Sequence, residues 1–155
     1  MSIAARPLDA DALARAGFRT SAPGHRHAEA SFERSGRLDQ DAPRTGQARR
    51  IAAALLRLWG MAELADSACL AVSELVTNAF VHGQGETVTM RMFVADTHLR
   101  VEVRDGGSWT PRPRPVDLLA QSGRGTLLVE AFADAWGVTG DGTVWCVFHP
   151  AGGAR

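Results

Sequence analysis

Two neighbouring runs of alternating residues lie in the middle of this 155-residue chain and restrict the folds that it can adopt. Over residues 87–94 and again over 99–104, apolar side chains recur at every second position, which is the period of a half-buried strand. The short segment 96–98 between the two runs predicts a hairpin turn. A hairpin with one apolar face is not stable alone, so another part of the chain must cover that face.

Two amphipathic helices are predicted upstream and can provide this cover. Apolar residues within 45–59 and 72–79 follow the spacing i, i+3, i+4, i+7, which places them on one side of a helix. Gly60 and Gly83 predict where the two helices end. Asp66 is the predicted N-cap of the second helix.

The remaining elements complete an α+β pattern. Segments 136–139 and 144–148 predict a closing hairpin, in which Val144, Cys146 and Phe148 are the favoured core side, although both faces are apolar. Residues 32–38 are a candidate edge strand. The order of strands and helices predicts a two-layer α/β sandwich, with a mixed, mostly antiparallel sheet covered by helices on one face. We expect a flexible tail over 1–30, one domain over 31–150 and a short tail over 151–155.

Composition excludes several classes of function. Arg and Asp plus Glu balance at 17 each, so charge gives no reason to expect a nucleic-acid or membrane partner. The sequence contains no lysine, which excludes a lysine nucleophile and a P-loop lysine. Cys69 and Cys146 are too few for a disulfide framework and fit small buried residues. No apolar run looks long enough to span a bilayer, and no signal-like segment is evident, so we expect a cytoplasmic protein.

Two polar features of the sequence suggest a binding site, and the glycine-rich segment 123–125 is a third. Glu74 and Asn78 are four residues apart and therefore share one side of the second helix. Asp105 continues the series 99, 101, 103 and so points to the apolar side of the sheet. A carboxylate in that position needs hydrogen-bond donors.

The chemistry of these residues suits a nucleotide. Asp105 can accept a hydrogen bond from the amino group of adenine, and the glycines at 106 and 107 let a purine approach the backbone. Segment 123–125, with Gly123, Arg124 and Gly125, predicts a helix N-terminus that can bind phosphates. Asn78 can offer an oxygen to Mg²⁺, and Glu74 can accept a proton. Taken singly, each feature also fits a plain structural role: a solvated helix face, a turn-capping aspartate, or a turn into a helix.

The ordered set resembles a known superfamily. Segment 73–83, SELVTNAFVHG, resembles the N-box of the GHKL ATPases and kinases. Segment 103–107, VRDGG, resembles their first glycine box, and segment 123–129, GRGTLLV, their second. The closest resemblance is to bacterial anti-sigma factor serine/threonine kinases. It covers about residues 32–150.

This resemblance implies an ATP- and Mg²⁺-binding sandwich with specific roles for individual residues. Glu74 would be the catalytic base, Asn78 the metal ligand and Asp105 the adenine acceptor. The residues implied in cofactor binding beside them are Gly107, Gly123, Arg124, Gly125 and Thr126. Relatives phosphorylate a serine of an anti-sigma-factor antagonist and bind a sigma factor, commonly as homodimers.

Two other functions remain open at this stage. One is a binding module that holds a partner or a nucleotide without transferring phosphate. The first glycine box favours it, because Ser108 and Trp109 stand where the second glycine of the motif is usual. The other is the catalytic domain of a histidine kinase, although the first thirty residues lack the pattern of a dimerising helical hairpin.

Overall fold

The structure, a computed structural model, describes residues 19–20, 26–95, 97–106, 129 and 131–151. Its described strands form one six-stranded sheet in the order β1-β2-β3-β4-β6-β5, and all neighbouring strands are antiparallel. The strands are β1 (Arg19–Thr20), β2 (His27–Glu33), β3 (Thr87–Ala95), β4 (His98–Arg104), β5 (Ala135–Val138) and β6 (Val144–Phe148). The helices are α1 (Leu38–Leu58) and α2 (Ala65–His82), which are joined by a 3-10 turn at Ala62–Leu64. Residues 129, 131 and 132 are also helical.

One face of the sheet and both helices form the core. The alternation predicted for β3 and β4 is confirmed, because Met90 pairs with Val103 and Met92 with Val101, all on the buried face. The closing hairpin is also confirmed, and Cys146 and Phe148 are buried on the same side. The observed α+β architecture is the predicted one.

Both helices differ from the prediction at their first residues. Helix α1 begins at Leu38 rather than near Thr45, and its first two turns include Pro43. Helix α2 begins at Ala65 with Leu64 as the N-cap residue, and Asp66 lies within its first turn, so the N-cap prediction was wrong. The preceding 3-10 turn leads directly into α2, and the end of the helix at Gly83 is as predicted.

The sheet also extends further toward the N-terminus than expected. Strand β2 begins at His27, inside the range predicted as a tail, and ends at Glu33, so most of the candidate strand over 32–38 is not a strand. It is not the edge of the sheet either, because β1 pairs with it. Its core-facing residues include Ala28 and Ala30, which are completely covered but too small to give a strong apolar signal.

The apolar character of α2 has a structural cause. Contrary to the sequence expectation, Ala62–His82 is long and apolar enough to span a membrane, with a mean hydropathy of 1.3. This segment includes α2, whose buried residues, such as Val72, Val76 and Phe80, belong to the core. These core contacts account for part of the apolar character, since 39% of the apolar window is buried.

The prediction of small buried residues is confirmed for Cys146 and only in part for Cys69. Cys146 is buried in β6, and burial raises the pKa of its thiol to about 12. Cys69 is partly buried in α2, and burial raises its pKa to about 11. A raised pKa favours the neutral thiol, which is a weaker nucleophile than the thiolate.

The other face of the sheet is polar. Glu29, Arg91 and Glu102 are paired across β2, β3 and β4, and they form a row of ion pairs with N–O distances of 3.7 and 3.2 Å. Arg100 extends this charged row: its Nε lies 3.1 Å from Glu102, and its guanidinium lies over the ring of Trp145. The helices therefore cover one side of the sheet, and charge occupies the other.

Candidate functional site

Helix α2 carries Glu74 and Asn78, the two residues of the N-box-like segment that have predicted roles in the site. Glu74 and Asn78 are both partly buried, one turn apart on the same helix. Four residues after Asn78 the helix ends, and residues 83–86 connect it to β3. The end of α2 is thus joined to the start of β3 by only four residues.

Asp105 lies at this end of α2. It directly follows β4, and its Oδ2 accepts a hydrogen bond from the backbone N–H of Gln84 at 3.0 Å. The carboxylate also lies against Gly83, where an added Cβ would be only 2.6 Å from Oδ2. Folding therefore brings the acid of the first glycine box to the end of the helix that carries Glu74 and Asn78.

Gly106 has a different neighbour from the one that the sequence suggested. From the sequence, a purine was expected to approach the backbone beside Gly106. An added Cβ there would come within 2.5 Å of Thr87 Oγ1, so the start of β3 already occupies this space. Gly106 thus allows β3 and the end of β4 to pack closely, and this packing fixes the residue next to Asp105.

The remaining predicted residues cannot be placed. Gly107, Gly123, Arg124, Gly125 and Thr126 lie outside the described residues. Among the described residues, no group of three or more His, Cys, Asp or Glu side chains could hold a metal ion.

A polar cavity of about 280 Å³ lies on the charged face of the sheet. Its lining includes Thr143, Thr89 and Arg104, and the carboxylate of Asp141 lies beside them. Hydrogen bonds from the Thr139 hydroxyl and from Thr143 lower the pKa of Asp141 to about 2. Thr143, which was left out of the predicted site, thus lines a cavity on the face opposite to the helices.

The sequence reasoning assigned no role in the site to Gly83 or Gln84. Gly83 was identified as the end of a helix and as the last residue of the N-box-like segment, and its contact with Asp105 joins residues that are far apart in the sequence. Gln84 contributes a backbone N–H, which every residue except proline possesses. No side-chain pattern could have revealed that contact.

Comparison with known families agrees with this geometry. The sequence model of the histidine kinase-like ATPase domain matches residues 38–147, which include α1, α2 and strands β3 to β5. The chain belongs to this family of GHKL-type, ATP-binding modules. No curated protein has a significant sequence match to the chain.

Proposed function

We propose that this protein is a regulatory serine/threonine protein kinase of the anti-sigma factor type, which uses ATP and Mg²⁺. In this proposal it transfers the γ-phosphate to a serine of an antagonist protein and also sequesters a sigma factor, as a cytoplasmic protein that can form a homodimer. The observation that carries the proposal is the position of Asp105. Its carboxylate is held by Gln84 at the end of the helix that carries Glu74 and Asn78.

The residues at this site fit a bound adenine nucleotide. Asp105 is an acceptor held in a fixed orientation by a backbone amide, which suits recognition of the adenine amino group. Asn78 offers a neutral oxygen of the kind that Mg²⁺ accepts beside phosphates and water. The absence of a side chain at Gly83 leaves the carboxylate in direct contact with the backbone, so its position is fixed before a ligand arrives.

The catalytic step requires little covalent chemistry from the protein. Bound ATP would supply the phosphoryl group, whose bond to ADP breaks as the bond to the serine oxygen forms, and Mg²⁺ held through Asn78 would neutralise the charge. Glu74, one turn from Asn78, accepts the proton of the attacking serine hydroxyl. Positioning and electrostatic stabilisation provide the rest of the rate enhancement.

Calorimetric titration with ATP, with and without Mg²⁺, tests the binding part of the proposal. We expect binding that is tighter with Mg²⁺, and a wild-type chain that binds no ATP would contradict the proposal. Glu74→Ala tests the catalytic part: we expect retained ATP binding and a loss of phosphotransfer of about 100-fold or more. Glu63→Ala, at an exposed position in the turn before α2, is the matched control and should leave both properties unchanged.

A second function is favoured by one observation in the sequence. Ser108 and Trp109 replace the second glycine of the first box, which suits a module that binds nucleotide or partner without catalysis. In that case the wild-type protein binds ATP but transfers no phosphate to an antagonist protein. Glu74→Ala would then be indistinguishable from wild type in the transfer assay.

A further inference from the structure

Arg34 joins the two ends of the connection between α2 and β3. Its side-chain Nε donates a hydrogen bond to the carbonyl oxygen of Phe80 at 3.0 Å, in a partly buried position. Its backbone N–H donates to the carbonyl oxygen of Glu86 at 2.7 Å. One residue at the end of β2 therefore binds the last turn of α2 and the residue that precedes β3.

The hydrogen bonds at the end of α2 show an exchange of partners. Gly83 N–H follows the helical pattern and donates to the Ala79 carbonyl oxygen at 3.0 Å. Gly83 is extended, with ψ of 164°, so the helix ends there. In a helix one residue longer, the next amide, Gln84 N–H, would donate to the carbonyl oxygen of Phe80. It donates to Asp105 Oδ2 instead, and the Arg34 guanidinium occupies the place at Phe80.

This exchange has a physical reason. A carbonyl oxygen in the last turn of a helix needs a donor from outside the helix, and a cation is favoured there by the helix dipole. Without the Arg34 side chain, the Phe80 carbonyl would be left unsatisfied in a partly buried position. The nearest backbone donor in the helical pattern is the Gln84 amide, and its recapture by Phe80 would take it away from Asp105.

We propose that Arg34 is a positioning residue for the nucleotide site. By binding Phe80, it releases the Gln84 amide to orient the Asp105 carboxylate. The inference rests on the proposed function only in that Asp105 is taken to bind the adenine. The hydrogen bonds of Arg34 and Gln84 themselves are present in the chain without nucleotide.

The first experiment follows the Gln84 amide by NMR in the absence of nucleotide. In the wild-type chain, this amide resonance should move when Asp105 is protonated by lowering the pH, because the two groups share a hydrogen bond. In Arg34→Met, which keeps the apolar stem but has no donor, the dependence on Asp105 should be lost. A Gln84 resonance that follows Asp105 equally in both chains would overturn the proposal. A wild-type resonance that does not respond to Asp105 would also overturn it, and this test does not depend on whether the variant folds.

The second experiment measures ATP affinity by calorimetry. Arg34→Met should weaken ATP binding about three- to tenfold, the range expected for one lost orienting hydrogen bond. Arg37→Met is the matched control, because Arg37 is exposed and pairs only weakly with Asp39 at 3.7 Å. The control should bind ATP like wild type, and an equal loss in both variants would contradict a specific role for Arg34.

The two experiments separate the two proposals. A wild-type chain that binds no ATP contradicts the proposed function, while the NMR titration still decides the role of Arg34. A wild-type chain that binds ATP, together with an Arg34→Met variant of equal affinity, contradicts the role of Arg34 alone.

Discussion

Two aspartates, Asp41 and Asp105, bind backbone amides in different parts of the domain, and they have different tasks. Asp41, in the first turn of α1, is only 2% exposed. Its carboxylate accepts hydrogen bonds from Ser35 N–H at 2.9 Å, from Ser35 Oγ at 2.8 Å and from Gly36 N–H at 3.2 Å. Asp105 is partly buried, and one of its oxygens accepts the Gln84 amide. The Asp41 carboxylate is thus enclosed by its own chain, whereas the Asp105 carboxylate lies at the edge of the candidate site.

The electrostatic surroundings of Asp41 explain why it remains charged. Burial alone would raise the pKa of its carboxyl group. The hydrogen bonds from Ser35 and Gly36, helped by the positive charge of Arg44, outweigh burial and lower the pKa below its ordinary value of 3.8. Asp41 therefore stabilises the turn that leads into α1.

Each aspartate has a glycine beside it, for a different reason. Gly36, beside Asp41, has φ of 78°, while a Cβ added there would meet nothing within 4 Å. Gly83, beside Asp105, has an ordinary φ of −70°, but no room for a Cβ. The first glycine is required by backbone conformation, and the second by the closeness of the carboxylate.

The largest effect is expected from Asp105→Asn. The change replaces an acceptor by a group that can present a donor to the adenine amino group, so ATP affinity should fall about 100-fold or more. The melting temperature should change little, because the residue is only partly buried. Calorimetric titration and thermal unfolding measure the two quantities. Unchanged ATP affinity would show that Asp105 is not the adenine acceptor.

Gly83→Ala should produce the next largest effect. The added methyl group would overlap the Ala79 carbonyl oxygen and push the Asp105 carboxylate away. We expect a loss of stability of about 1–3 kcal/mol and ATP binding weakened by about tenfold. Urea unfolding and calorimetry on the same samples measure both changes. A variant that keeps wild-type affinity would indicate that the carboxylate does not need this contact.

Asp41→Asn should affect stability without affecting the site. An asparagine amide group facing the Gly36 N–H places two donors together, so the free energy of unfolding at pH 7 should fall by about 2 kcal/mol. Because the pKa of Asp41 is lowered in the folded state, its stabilisation is complete above pH 3.8 and is lost as the pH falls through the folded pKa. The difference between wild type and variant in urea unfolding should thus shrink only in acid. ATP affinity of the folded variant should equal that of wild type.

The smallest effect is expected from Gly36→Ala, the counterpart of Gly83→Ala. The methyl group meets open space, so the cost is the left-handed backbone conformation alone, about 1–2 kcal/mol. ATP affinity should remain unchanged within error in calorimetry. If Gly36→Ala weakened ATP binding as much as Gly83→Ala does, the two glycines would not differ in the way that the structure indicates.

The sequence predicted those parts of the fold that depend on a period of apolar residues. Strands β3 and β4 followed from alternation, β6 from a short apolar run with two apolar faces, and the end of α2 from Gly83. Strand β2 was largely missed because Ala28 and Ala30, although buried, are too small to give a strong apolar pattern. The N-cap at Asp66 failed because a 3-10 turn, which local residue type does not predict, leads into α2.

The candidate site was predictable only where side chains carry the chemistry. The i, i+4 spacing of Glu74 and Asn78 and the strand parity of Asp105 can be read directly from the chain. Gln84 contacts Asp105 through its backbone amide, and Arg34 donates to the backbone carbonyl oxygens of Phe80 and Glu86. Such contacts depend on how distant segments pack, which a residue pattern does not record.

The row of charges formed by Glu29, Arg91, Glu102 and Arg100 affects the register in which the strands pair. A slip of one residue in β3 would turn Arg91 inward among the methionines and bring Met90 and Met92 into water. Burying an unpaired guanidinium is far more costly than burying an apolar side chain, so misaligned pairings are strongly disfavoured. The charged face thus helps to fix which residues of the sheet meet α2, and with them the strand end from which Asp105 extends.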